Sequence, residues 1–300
     1  KRRVFLQRFK CYKNTRHDTE EGSGMKRSEI LGKLREKAKA KKPIIGTGAG
    51  TGLSAKSEEA GGSDLIIVYN SGWFRMQGLP SVCGNFPLGD ANSIMLELGK
   101  VVLPVVKRTP VLAGVFANDP FRDMEVFLKQ LKDMGFSGVQ NFPTVGTYTD
   151  VYRKNIESVG ISYDKEVEMI RIAHELDLLT TPYAYTVQEA EKMVKAGADI
   201  IVAHCRGTVG GMVGVAQDGI MSIDEACTRV QEIHDAAVAI NPEVLVICHG
   251  GPIAAPKDAE YVLSHTKGIA GFYGASSAER LPVEKAIKEQ VEEFAGIQAL

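Results

Sequence analysis

The sequence predicts a closed (β/α)8 barrel, and three features of the chain support this fold class. Short apolar segments alternate with longer amphipathic patterns from Pro43 onward. Eight such apolar segments occur, and eight strands are what one barrel of about 250 residues contains. The segments are continuous and rich in β-branched residues, which is typical of parallel strands buried on both faces.

The predicted strands are, in chain order, residues 43–48, 65–70, 111–116, 138–142, 178–185, 199–205, 244–250 and 268–274. The helical patterns between and after them are residues 119–134, 162–176, 186–197, 222–240 and 278–296. One more helical pattern, residues 26–42, precedes the first strand. We expect this extra N-terminal helix to close the bottom of the barrel.

Three of the predicted helices begin with a hydroxyl residue three positions before a glutamate, which is the pattern of a capping box. In a capping box the two side chains accept hydrogen bonds from backbone amides that would otherwise lack partners. The pairs are Thr186 with Glu189, Ser222 with Glu225 and Ser276 with Glu279.

The main alternative fold is an open doubly wound sheet with a dinucleotide site. The stretch GTGAGTG, residues 46–52, resembles a dinucleotide fingerprint after a first strand. Its spacing does not match the fingerprint, which requires a third small residue. That position holds Thr51 if Gly46 is the first glycine, and Leu53 if Gly48 is. The barrel is therefore favoured.

Composition excludes several other classes. No run approaches the roughly 18 apolar residues that a membrane helix needs, and no secretory signal precedes the barrel. We therefore expect a cytoplasmic location and no membrane partner. The 5 cysteines are odd in number and lack CxxC spacing, so neither a disulfide framework nor a zinc knuckle is indicated.

The basic charge of the chain is concentrated at its N-terminus. Residues 1–42 carry 15 Lys and Arg against 5 Asp and Glu, while the remainder carries 21 against 32. Nucleic-acid binding or an organellar address would explain such a segment. The absence of an apolar period favours a disordered basic extension at residues 1–25, followed by the barrel domain at 26–300. We expect no nucleic-acid partner.

The polar residues that end the predicted strands are the candidate site residues, because active sites in this fold lie at the C-terminal ends of the strands. His204 and His249 end neighbouring strands, so their rings are expected to meet and to act as acid and base. Arg206 would bind a carboxylate or phosphate, or alternatively brace its loop. A two-histidine metal site has no evident third ligand. The residues predicted to orient the substrate are Asn70, Gln140 and Asn141.

Two glycine-rich turns follow the last two predicted strands, at 249–251 and 274–280. Barrel enzymes often hold phosphate between these two loops. Glycine lets the backbone approach an oxyanion, and serine hydroxyls donate to it. We predict an anion site, and its residues are Gly250, Gly251, Ser276 and Ser277. In the alternative interpretation the glycines only make a tight turn and Ser276 only caps a helix.

Three loops are long for this fold, at residues 70–90, 142–161 and 205–221. Long loops on the active face of a barrel are often lids or binding loops. We expect the aromatic residues of these loops to cover a substrate or to form a subunit contact. These residues are Trp73, Phe74, Tyr148 and Tyr152. A homo-oligomer is expected.

Six segments together resemble a known family. They are IIGTGAGTGLSAKSEEAGGSDLIIVYNSGWFRMQG, NDPF, GFSGVQNFPTVG, AHCRGTVGG, HGGPIAAP and GFYGASSAERLP. Across about residues 26–298 the chain resembles the phosphoenolpyruvate hydrolase-like family, also called TIM-barrel signal transduction proteins. The resemblance implies a TIM barrel related to the phosphoenolpyruvate mutase and isocitrate lyase group, alone or as the C-terminal half of a longer protein.

The resemblance also implies a function. It implies a hydrolase or lyase that acts on a small phosphorylated or carboxylated compound such as phosphoenolpyruvate or phosphonopyruvate. The better understood mutases and lyases hold magnesium with strand-end carboxylates, and here the acids placed to do so are Asp90 and Asp119, with Asp150 and Asp218 in the long loops. The competing hypothesis is a non-catalytic barrel that senses a small anion or nucleotide.

Overall fold

The computed structural model describes residues 24–298 and confirms the barrel. Its strands are β1 (Ile44–Gly48), β2 (Leu65–Val68), β3 (Val111–Gly114), β4 (Gly138–Gln140), β5 (Leu179–Thr180), β6 (Tyr183–Ala184), β7 (Ile200–His204), β8 (Leu245–His249) and β9 (Gly271–Gly274). All pairings are parallel, and the order is β5-β4-β3-β2-β1-β9-β8-β7-β6. The predicted basic extension at residues 1–25 lies almost wholly outside the described residues.

The two edge strands of this sheet, β5 and β6, belong to one segment, and the ring closes through it. The sequence predicts a single strand at 178–185, but the structure divides it at Pro182, which has no backbone N–H to donate. The Asn141 side chain completes the pairing here, because its Oδ1 accepts a 2.7 Å hydrogen bond from the amide of Tyr183. The barrel therefore has eight strand positions built from nine pieces.

The described residues form eleven α-helices. They are α1 (Arg27–Lys39), α2 (Gly52–Ala60), α3 (Asn70–Met76), α4 (Ala91–Val102), α5 (Met124–Asp133), α6 (Asp150–Ser158), α7 (Tyr163–Glu175), α8 (Val187–Lys195), α9 (Ile223–Ile240), α10 (Pro256–His265) and α11 (Arg280–Ala295). The six predicted helices are present. The sequence patterns missed α2, α3, α4, α6 and α10, and two of these, α3 and α6, lie within predicted long loops. No helix among residues 24–298 has the length and apolar character needed to cross a bilayer.

Side chains alternate along each strand between two apolar cores. In β2, Leu65 and Ile67 point into the barrel, while Ile66 and Val68 face the surrounding helices. The inner core also contains residues of α1, namely Ile30, Leu31 and Leu34. Because α1 packs against the first residues of the strands, it closes the bottom of the barrel as predicted.

The three predicted capping boxes have different outcomes. The box of Ser222 and Glu225 is complete at the start of α9. Thr186 caps α8, but Glu189 accepts hydrogen bonds from the amide of Tyr185 and from Arg153 instead. The box of Ser276 and Glu279 is wrong, because α11 begins only at Arg280 and the Glu279 carboxylate is buried in an ion pair.

Candidate active site

A small cleft opens at the C-terminal ends of the strands. Its side chains come from β6, β7 and β8 and from the segments that follow β2, β4, β6, β7 and β9. The lining includes three tyrosines, two histidines and two arginines, which are Tyr69, Tyr183, Tyr185, His204, His249, Arg75 and Arg206. None of the residues that line the cleft is an aspartate or a glutamate.

Strand register brings the two predicted histidines together. His204 lies opposite His249 on the neighbouring strand, and His249 lies opposite Tyr273. All three residues occupy alternate strand positions whose side chains point into the barrel. The two imidazole rings meet edge to face with their centroids 4.5 Å apart.

The tautomer of His204 follows from its backbone contact. The Arg206 amide donates a 2.9 Å hydrogen bond to Nδ1 of His204, so this nitrogen carries a lone pair. In the neutral ring the proton is therefore on Nε2. Burial, and then the nearby His249 and Arg206, lower the pKa of His204 well below its usual value. His204 consequently presents an N–H donor at neutral pH.

His249 has the opposite tautomer. Its Nδ1 lies 2.5 Å from the carbonyl oxygen of Tyr273, which only accepts, so Nδ1 carries the proton. Burial lowers the pKa of His249 to about 4, although the bond to Tyr273 acts in the opposite direction. Its Nε2 is therefore an unprotonated acceptor, 3.5 Å from the Tyr183 hydroxyl. The two histidines thus offer one donor and one acceptor side by side.

Two tyrosines hold the imidazoles in place. The ring of Tyr183 stacks on His249 with centroids 5.1 Å apart and meets the edge of His204 at 4.5 Å. The ring of Tyr185 stacks on the other side of His204 at 4.4 Å. Burial raises the pKa of both phenols, so they stay neutral donors. The two imidazole rings are therefore packed against tyrosine rings.

Arg206 lines the cleft directly after β7. Its backbone has a φ of 76°, a left-handed conformation that is uncommon for a residue with a side chain. This conformation aims its amide at His204, while Nη1 of its side chain donates to the Thr147 carbonyl at 2.9 Å. The guanidinium carbon lies 5.5 Å from the ring centre of Tyr185.

Arg75 is a second arginine of the cleft, and the strand-end reasoning missed it because it lies in α3. It is 2% exposed and forms a buried ion pair with Glu279, with Nε donating at 2.7 Å and Nη2 at 2.5 Å. Its Nη2 also donates to the Gly48 carbonyl. The remaining nitrogen, Nη1, is buried without a partner among the described residues.

The predicted anion loops are brought side by side, but their glycines have a packing role. Gly250 and Gly251 have φ values of 79° and 59°. A Cβ atom would come within 2.3 Å of the Arg206 carbonyl at the first glycine and within 2.2 Å of the Cys205 carbonyl at the second. The amide of Gly251 donates to the Arg206 carbonyl, so it is not free for a ligand. These glycines allow the turn after β8 to pack against the turn that carries Arg206.

The two serines predicted for the anion site line different cavities. Ser276 lines the cleft, and its hydroxyl lies 3.0 Å from that of Ser81. Ser277 lines a different cavity, near α10 on the outside of the barrel. Only Ser276 is therefore placed to contact a ligand in the cleft.

The three predicted amides lie outside the cleft lining. Asn141 is fully used, because it accepts from the Tyr183 amide and donates to Glu166 at 2.6 Å. Asn70 donates to the Gly84 carbonyl, and its Oδ1 is buried without a partner in the described chain. Both polar atoms of Gln140 are likewise buried and unpartnered there. Asn141 thus stabilises the break between β5 and β6 and does not contact a ligand in the cleft.

The residues at the cleft do not fit the magnesium ion that the resemblance implies. Magnesium is held in proteins through oxygen ligands, chiefly carboxylates. Asp90 and Asp119 both pair with Arg122 and line a separate groove. Across residues 24–298, no group of three or more His, Cys, Asp and Glu side chains is arranged to hold a metal ion. The metal role predicted for Asp90 and Asp119 is therefore not supported.

Glu58 is a half-buried acid next to the Arg75–Glu279 pair, and its Oε1 atom is buried. Burial, and after it the charge of Glu279, raise its pKa to about 8. A 2.9 Å hydrogen bond from the Thr47 hydroxyl acts in the opposite direction. Glu58 is thus largely protonated at neutral pH.

We expect stability to decrease with rising pH because of Glu58. An unfolded glutamate has a pKa near 4.3, so between about pH 4.5 and 8 the folded state binds the proton more tightly and the free energy of unfolding falls. The slope is at most ~1.4 kcal/mol per pH unit. Glu58→Gln should make this part of the profile less steep in urea unfolding at pH 5, 6.5 and 8. The exposed Glu97→Gln is the control. Burial also raises the pKa of Glu166 to about 8, so part of the slope remains in Glu58→Gln. A slope equal to that of the unaltered protein would contradict the assignment.

The aromatic residues of the long loops lie beside the cleft. Tyr148 and Tyr152 pack together at 5.1 Å and line the groove that also contains Asp90 and Asp119. The Tyr148 hydroxyl donates to the Asn85 carbonyl, which ties two of the long loops together. Phe74 is buried, and Trp73 is partly exposed against it at 5.2 Å.

Comparison with known proteins places these features in a family. The sequence matches the phosphoenolpyruvate hydrolase-like family over residues 29–297. It is 56% identical over 272 residues to two proteins of Solanum lycopersicum, the ToMV susceptible protein tm-1(GCR26) and the ToMV resistance protein Tm-1(GCR237). The matches cover 91% of this chain but 36% of each relative, so the chain spans about a third of their length.

Solved structures show the same fold at low sequence identity. Phosphoenolpyruvate phosphomutase from Streptomyces platensis subsp. rosaceus superimposes with a TM-score of 0.56 at 18% identity, over 88% of this chain and 87% of that one. A phosphonopyruvate hydrolase in complex with oxalate and Mg²⁺ gives 0.58 at 16% identity, over 91% and 89%. At this identity the likeness concerns the barrel and not the chemistry.

Proposed function

The chain belongs to the phosphoenolpyruvate hydrolase-like family, and we propose that it is a hydrolase or lyase that acts on a small carboxylated or phosphorylated compound in the cleft. The family match supports this reaction class. The observation that carries the proposal is the pair of buried histidines with opposite tautomers.

The proposed chemistry uses these two imidazoles at neighbouring positions. Nε2 of His249 is unprotonated and accepts a proton, from water in hydrolysis or from the substrate in lysis. Nε2 of His204 carries a proton and donates a hydrogen bond to the oxygen on which negative charge develops. Because both pKa values are lowered, this arrangement holds throughout the neutral pH range.

The cationic and hydroxyl groups of the cleft would orient the substrate. Arg206 would bind its negative group from the β7 side. Ser276 and the neutral Tyr183 hydroxyl would add hydrogen bonds. The rings of Tyr69, Tyr183 and Tyr185 would form the walls around the substrate.

A screen of small acids tests the proposal. Phosphonopyruvate, phosphoenolpyruvate and oxaloacetate are each incubated with the protein, and products are followed by NMR while the melting temperature is measured in parallel. An enzyme consumes at least one compound. A sensing barrel raises its melting temperature with a compound that stays intact, and that result would replace the proposed activity with the competing hypothesis.

A further inference from the structure

We propose that the cleft binds a small dianion, a dicarboxylate or a phosphorylated carboxylate, between Arg75 and Arg206 without a divalent cation. This inference rests on the proposed function for the location of the site. It departs from the magnesium dependence that the resemblance implies.

The donor set of the cleft is the first argument. The lining residues offer guanidinium, imidazole, phenol and serine groups but no carboxylate. Glu279 contacts the lining residue Arg75 but does not itself line the cleft. One of its oxygens accepts from the Gly50 amide and the other accepts from Arg75. A divalent cation would therefore meet positive charges and neutral donors, whereas an oxyanion finds donors on several sides.

Arg75 is the second argument, because it is held rigidly and has one free nitrogen. Glu279 and the Gly48 carbonyl occupy Nε and Nη2, so the guanidinium plane is fixed. Its Nη1 is buried and unpartnered within residues 24–298. A buried donor without an acceptor is destabilising, and a bound oxyanion would supply the missing acceptor.

Arg206 supplies the second contact from another side of the cleft. Arg75 lies above β1 and β2, through its bond to Gly48 and its contact with Tyr69, whereas Arg206 follows β7. No carboxylate of the described residues pairs with Arg206, whose one side-chain bond goes to the Thr147 carbonyl. Its charge is thus left for a ligand. A compound with an anionic group at each end matches the two arginines.

Oxalate is a suitable probe because it is the smallest dicarboxylate. Its binding to the full chain is measured by calorimetry, once in EDTA and once in Mg²⁺, with the free oxalate corrected for its magnesium complex in solution. We expect the two Kd values to agree within about twofold. Arg206→Gln should raise the Kd at least about tenfold, or ~1.4 kcal/mol. Arg122→Gln, which alters an arginine outside the cleft, should leave it unchanged.

Each outcome is decisive for the inference. Binding that requires Mg²⁺ would overturn it and leave the proposed function intact. An absence of binding in both conditions, or binding that Arg206→Gln does not weaken, would also overturn it. Oxalate binding in EDTA by a protein that turns over none of the small acids would instead support the anion site and count against the enzyme.

Discussion

Replacing Glu279 by glutamine is expected to lower the free energy of unfolding by about 3–5 kcal/mol, because it leaves the Arg75 charge buried without a counter-ion. Both side chains of this pair are essentially inaccessible, at 0% and 1% exposure. The carboxylate also accepts a 2.6 Å hydrogen bond from the Gly50 amide, so the change disturbs the loop after β1 as well. Urea unfolding at pH 7 measures the effect.

Two further variants make this test specific. Glu97→Gln breaks an exposed pair with Lys100 and should change stability by less than about 1 kcal/mol. The double variant Arg75→Met with Glu279→Leu should be less damaging than Glu279→Gln alone, because it removes the unpaired charge. Equal losses in the single and double variants would show that packing, rather than charge, determines the effect.

Replacing His249 by asparagine is expected to reduce kcat by about 10²–10⁴-fold, which is the usual contribution of a general acid or base. The asparagine amide can still donate to the Tyr273 carbonyl, so the contact made by Nδ1 is kept while Nε2 is removed. The melting temperature should therefore change little. Initial rates are measured with whichever compound the screen shows to be consumed.

A histidine outside the cleft provides the matched control. His234 lies in α9 and contacts Asp235 at 2.9 Å, so His234→Asn should retain full turnover. A His249→Asn protein with an unaltered rate would remove His249 from the mechanism. The fold and the location of the cleft would stand, but the acid–base roles would have to be reassigned.

The barrel itself was predictable because its strands are apolar and its strand ends are polar. Eight runs of β-branched residues required a parallel sheet, and the order of the last strands placed His204 and His249 next to each other. Tyr273 could also have been predicted as a neighbour of His249, because its side chain is at an inward-facing position of β9 and it lies opposite His249. Positions on strands were therefore accessible to reasoning from periodicity.

Residues whose role depends on long-range contacts were not predictable in this way. Arg75 and Glu279 are 204 positions apart, and only folding shows that they pair. For the same reason Glu279 was assigned to a capping box, which is a local pattern that a stronger distant partner overrides. Gly250 and Gly251 looked like an anion loop because glycine in sequence does not reveal whether it makes room for a ligand or for a neighbouring backbone.

Alternate residues of β7 and β8 point into the barrel, and this limits which positions can change during evolution. His204 and His249 follow Val202 and Ile247 along the same inner face, so the floor of the cleft is also the top layer of the apolar interior. A smaller side chain there would leave a void that weakens the whole ring. New substrate preferences should therefore arise through changes in the surrounding loops, while the strand residues stay the same.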